Sequence, residues 1–152
     1  MTTYWLRPPT ARKKPAMSSA SVGSSPGYLY ARAWVTTFPN GERVPMIKIG
    51  RARDMLRRED GYRRWEREYP SLETKPIYCV VRVDDAVTAE RLLREHFREH
   101  NVEREFGAKA WRAMSPELAK SAEVYGDGRE CLRGVSVQEV KEVMLQLGEP
   151  VT

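Results

Sequence analysis

Two charged residues sit where apolar ones belong, and they are the first candidates for chemistry. After Asp54, the residues Met55, Tyr62, Trp65 and Tyr69 recur at i, i+7, i+10 and i+14. At about 100° per residue they form one stripe of an amphipathic helix. Arg58 falls in the middle of that stripe, whereas Arg57 points roughly 100° away, toward solvent. A guanidinium among Met, Tyr and Trp must be paired, stacked or aimed into a cleft, because burying a bare charge is costly. Stacking over Trp65 and gripping a phosphate, which suits its planar fork, are both open. A second helix, Ala86 to His100, marks its buried face with Ala86, Ala89, Leu93 and Phe97. Glu90 lies only about 20° from Phe97 on the helical wheel. A carboxylate there is a metal ligand, an acid or the ion-pair partner of Arg58. The other charges of this helix, Arg91, Arg94, Glu95 and Arg98, fall on its outer face. His96-Phe97-Arg98-Glu99-His100 spells the H-x-x-E-H of inverted zinc proteases. That reading is rejected, because those enzymes need a further carboxylate on another helix of a larger fold.

The elements that must position these side chains are legible around them. Tyr28 to Thr36 is rich in aromatic and branched residues and predicts a strand. Asn40-Gly41 is a strong turn signal, and Val44 to Ile49 predicts a second strand with Pro45 near its start. Asp54 opens the first helix, capped by its own side chain and running to about Tyr69. Pro76 to Val83 carries the continuous apolar run of a buried third strand. Ser115-Pro116-Glu117 begins a short helix. Ser136-Val137-Gln138-Glu139 is a capping box opening a last helix, with Val137, Val140, Met144 and Leu147 on one face and Gly148 at its end.

The chain of 152 residues suits one domain with tails. No apolar run is long enough to span a bilayer. Net charge is +5, unevenly spread: residues 1–26 carry +4 and no acid, residues 43–67 carry +5, and residues 68–152 carry −4. That asymmetry suits a polyanion, since each phosphate contact releases condensed counterions. Residues 1–26, rich in Pro, Ser and Ala, read as a disordered basic arm in which Lys13 and Lys14 would touch nucleic acid. The same composition fits an organellar transit peptide. Cys79 and Cys131 have no metal-like spacing, so an intracellular, reducing compartment is expected.

The run Lys48-Ile49-Gly50-Arg51-Ala52, followed by Arg57-Arg58 and Trp65, and then Ala89-Glu90 with Leu92, Leu93 and Phe97, resembles the GIY-YIG nuclease superfamily. The closer likeness is to its divergent Lys-Ile-Gly branch of phage and fungal proteins, the meiotically up-regulated gene 113 type. The resemblance covers residues 27 to about 113. It implies an α+β fold with a three-stranded antiparallel sheet flanked by helices, to which residues 114–152 would add a C-terminal helical extension. It implies a metal-dependent endonuclease that hydrolyses phosphodiester bonds with one Mg2+ or Mn2+ ion. Tyr30, with Tyr28 a close competitor, would match the tyrosine that activates water, and Lys48 stands where the second motif usually has tyrosine. Arg58 would steady the phosphate, and Glu90 would hold the metal. Arg51, Arg53 and Arg57 would join the nucleic-acid surface, with DNA placed ahead of RNA. The alternative on the same fold is a catalytically inactive nucleic-acid-binding or assembly module. The capped last helix is a candidate surface for a protein partner.

Overall fold

The computed structural model describes residues 25–38, 40–68, 73–107 and 130–151. The basic arm with Lys13 and Lys14, the helix expected at Ser115 and the stripe residue Tyr69 lie outside them. The strands are β1 (Gly27–Thr37), β2 (Arg43–Ala52), β3 (Glu73–Val83), β4 (Cys131–Leu132) and β5 (Glu149–Pro150). The helices are α1 (Met55–Glu68), α2 (Ala86–His96), a 3-10 turn Arg98–His100, α3 (Val102–Phe106) and α4 (Val137–Leu147).

All pairings are antiparallel, in the order β4-β2-β1-β3-β5. The sheet therefore has five strands where three were expected. The two extra strands are two residues each, too short for a period-2 pattern to announce them, and they cover parts of both sheet edges. Both come from beyond residue 113. That stretch adds an edge strand on each side of the sheet and a helix packed against it.

Alternation along β1 and β2 separates two faces. Leu29, Ala31, Ile47 and Ile49 point to one face, where Ala86, Ala89 and Leu93 of α2 and Val140 and Met144 of α4 close the main core. Tyr28, Tyr30 and Ala52 point to the other face, against Met55, Tyr62 and Trp65 of α1. In β3 a bulge interrupts this alternation. Ala31 pairs with Cys79 but Arg32 pairs with Ile77, so Tyr78 is the extra residue. Ile77 then packs with the α1 side, and Tyr78 with the α2 side. A third cluster, of Trp34, Phe38, Val44, Met46, Val102 and Cys131, closes the far end of the hairpin.

Capping sets the helix boundaries. Asp54 Oδ1 accepts the Arg57 N–H at 3.1 Å, and Asp85 Oδ1 accepts that of Thr88 at 3.1 Å. The Ser136–Glu139 capping box closes with both bonds at 3.1 Å. α2 stops at His96 and turns into a 3-10 segment, where one helix to His100 was expected. The apolar stripe of α4 packs on the chain's own sheet: Val140 and Met144 are fully buried, while Val137 and Leu145 stay exposed. Among the described residues, no helix is long and apolar enough to cross a membrane.

The burial of Met144 yields a direct expectation. Met144→Ala should lower unfolding free energy by about 2–5 kcal/mol, the usual cost of a cavity in a core. Leu145→Ala, its exposed neighbour, should stay within about 0.5 kcal/mol. Denaturant melts of the two variants check this, and equal midpoints would contradict the packing of α4 on the sheet.

Candidate functional site

On the α1 face, paired strands bring a run of unusual residues together. Tyr30 pairs with Gly50, and Arg32 with Lys48. A Cβ on Gly50 would lie 2.7 Å from the Tyr30 hydroxyl oxygen and 2.8 Å from its ring carbon Cζ. The phenol thus lies across β2 at a position only glycine allows. Beyond it, among the described residues, the outer edge of β2 has no strand partner, because β4 pairs only with Ile47 and Lys48.

Three side chains surround that phenol, and a fourth lies over Tyr62. The Tyr62 hydroxyl from α1 donates to the Tyr30 oxygen at 2.9 Å, and both residues are buried. The Lys48 Nζ is 6.0 Å from the Tyr30 ring centre, and the Arg58 guanidinium carbon is 5.9 Å from it. Arg32 lies 4.2 Å over the Tyr62 ring. Each strand cation has its own carboxylate: Arg32 pairs with Glu66 of α1, and Lys48 with Glu130 just before β4. Arg58 reaches the Arg51 carbonyl at 3.5 Å. Of the two readings left open for Arg58, stacking occurs, but over Tyr30 and not Trp65.

Electrostatics follow from this packing. Burial holds the Tyr62 hydroxyl well above the usual tyrosine range, reinforced by Tyr30 and opposed by Arg32 and Arg58. Tyr62 therefore keeps its proton and serves as a donor. Burial would push Lys48 down, but attraction to Tyr30, Glu130 and Cys131 outweighs it and raises the ammonium above its ordinary value. Tyr28 lies two residues before Tyr30 on the same face. Its hydroxyl is raised by burial against the pull of Arg82.

Glu90 is placed differently. It sits on α2, buried at the other face of the sheet, and so is not packed beside Tyr30. Its Oε1 meets Arg51 Nη1 at 3.2 Å and Arg94 Nε at 3.9 Å. The ion pair with Arg58 that the sequence left open is not formed, and Arg94, assigned to the outer face, turns inward to Glu90. Arg51 joins the two faces: its carbonyl meets Arg58 and its guanidinium meets Glu90. Arg53 and Arg57 are exposed near this edge. His96 stacks edge-on against Phe97, and the His100 Nδ1 lies 3.2 Å from the Arg133 carbonyl.

A divalent ion at Glu90 fits the residues present. Both arginine contacts fall on Oε1, so Oε2 has no ion-pair or hydrogen-bond partner among the described residues. Carboxylate oxygen suits magnesium, which keeps most of its waters. Among the described residues no group of three His, Cys, Asp or Glu side chains assembles, so such an ion would be held by one carboxylate and water.

Sequence reasoning passed over Arg32, Glu66 and Glu130, and saw Tyr62 only as a stripe residue. Arg32 alternates with Tyr28, Tyr30 and Trp34, so its charge on a buried strand face was the available signal. Glu130 had none, because its role depends on a two-residue strand.

The raised groups fix a pH dependence. A folded-state pKa above the unfolded one means that the folded chain keeps a proton the unfolded chain loses. This stability is present below the unfolded values of 10.0 for Tyr62 and 10.5 for Lys48, and is lost as pH rises. The melting temperature should hold between about pH 7 and 8 and fall above about pH 10. Tyr62→Phe, which removes one of the raised groups, should make the fall shallower. Melts across this range check it, and equal slopes for the two proteins would refute the assignment to Tyr62.

Residues 27–147 match the family model described as the T5orf172 domain, a span running from β1 through α4. Domains of this family are phage-associated, related to a homing-endonuclease-like fold and commonly nuclease-like or nucleic-acid-associated. Searches of curated proteins and of solved structures give no match.

Proposed function

The chain belongs to the T5orf172 domain family, and on that premise we propose that it is an endonuclease of the GIY-YIG type, hydrolysing phosphodiester bonds at the open edge of β2. The observation that carries this reading is the Tyr30 phenol. It lies on a glycine, receives a hydrogen bond from a protonated Tyr62 and faces Lys48 and Arg58. As a phenolate this oxygen would take a proton from the attacking water and become a neutral phenol, and the donor and two cations around it favour the negative charge it must carry beforehand.

Roles follow from position. Arg58 swings from above the Tyr30 ring to a phosphate oxygen, where its fork donates two parallel hydrogen bonds. Lys48, anchored by Glu130, stays close to Tyr30 as a fixed positive charge. Tyr62 holds the Tyr30 oxygen in direction. Arg51 carries contact between the two faces. Glu90 would hold a single hydrated magnesium or manganese ion, and a metal bound there would polarise a phosphoryl oxygen and offset its charge.

A second reading, a module that binds nucleic acid without cutting it, is favoured by one observation: Tyr30 is 1 % exposed, so water reaches its oxygen only after a side chain moves.

The test uses supercoiled plasmid, single-stranded DNA and RNA with magnesium or manganese. Tyr30→Phe should lower the cleavage rate by about 10²–10⁴-fold, the usual worth of a positioned proton acceptor. Glu90→Ala should remove the metal dependence together with the activity. Circular dichroism should show that the variant remains folded at the assay temperature, which separates loss of the ion from loss of the fold. Salt-sensitive binding by wild type without cleavage of any substrate would establish the second reading instead.

A further inference from the structure

Several exposed arginines among the described residues have carboxylate partners: Arg91 meets Glu95, Arg104 meets Glu99, and Arg63 meets both Glu59 and Asp60. The outer face of α1 gathers three that do not. Arg57, Arg64 and Arg67 are exposed, and none has an ion-pair partner among the described residues. Glu68, exposed beside them, has no ion-pair partner among the described residues. Matched charges on a solvated helix face form i,i+4 pairs, as Arg91 and Glu95 do on α2 and Arg63 and Glu59 on α1. A face that instead leaves three guanidiniums unpaired is suited to an external polyanion.

Spacing and chemistry narrow the partner. Arg57 and Arg64 share an azimuth to within about 20° and lie about 10.5 Å apart along the axis, and Arg67 extends the row to about 15 Å. The phosphates of one strand of a duplex advance about 3.4 Å along its axis per nucleotide, so the row spans about four. The aromatic residues of α1, Tyr62 and Trp65, are buried against the sheet. The outer face therefore offers no platform for stacking unpaired bases, which single-strand binders rely on. Apart from exposed Leu56 it offers charge, a device that reads backbone and not sequence.

We propose that the outer face of α1, through Arg57, Arg64 and Arg67, is a rail for the phosphate backbone of a duplex, directing it to the open edge of β2. This rests on the nucleic-acid reading above and adds the surface and the strandedness. The same helix turns Arg58 inward to Tyr30 and its other arginines outward, so one rigid element couples grip to position.

The experiment is fluorescence anisotropy with a labelled duplex of about 25 base pairs, titrated across salt, using wild type and Arg64→Gln/Arg67→Gln. Each lost phosphate contact should reduce the slope of log affinity against log salt by about 0.9, so the double variant should lose about 1.8. The loss should be the same on two unrelated sequences. Arg91→Gln on α2, whose arginine is already paired, should keep the wild-type slope. A steep wild-type slope that the double variant leaves unchanged overturns the rail and spares the nuclease reading. Absence of salt-dependent duplex binding by wild type overturns both. An equal loss on single-stranded DNA overturns the duplex assignment.

Discussion

Arg32 and Lys48 are cross-strand partners on the two central strands, and each is almost excluded from water. Two cations side by side in a buried sheet face are tolerable only if each is paired and further satisfied. The surroundings on this face meet that demand. Glu66 arrives from α1, Glu130 from the approach to β4, the Tyr62 ring lies under Arg32, and Tyr30 lies near Lys48. These partners come from positions 34 and 82 residues away along the chain. Charge compensation thus ties the hairpin, the first helix and the C-terminal stretch into one unit, and the tyrosine pair sits within it.

The two faces of the sheet meet around the free end of β2. Tyr30 crosses from one side over Gly50, while Glu90 approaches from the other through Arg51. An edge left without a strand partner is ordinarily a hazard. Here it is flanked by Arg51, Arg53 and Arg58, whose mutual repulsion disfavours another strand and favours an anion. The same cations that discourage sheet extension make the edge a place for phosphate.

The hairpin, the buried third strand, the two long helices and the capped last helix could be read from periodicity and caps, because each is long enough to show a period. The 3-10 turn after α2 and the strands β4 and β5 could not, since two or three residues carry no period. For the site, misplaced charge was the productive signal. Arg58 in an apolar stripe is indeed near a second functional candidate, and Glu90 is buried. Their partners were not legible: pairing of Glu90 with Arg51 and Arg94, and of Lys48 with Glu130, depends on which strands are neighbours. That in turn depends on long-range register. Arg32 was visible by alternation but was masked by the aromatic residues around it.

The contact between Tyr30 and Gly50 has a consequence for how this chain can vary. The phenol occupies the space that any side chain at position 50 would need, and the aromatic ring has no flexible end that could yield. The two positions therefore form a single unit of heredity: a larger residue at one is admissible only after a smaller one at the other. A drifting sequence cannot keep the tyrosine while relaxing the glycine, so loss of the phenol would free the strand to change, and its retention holds the backbone beneath it fixed.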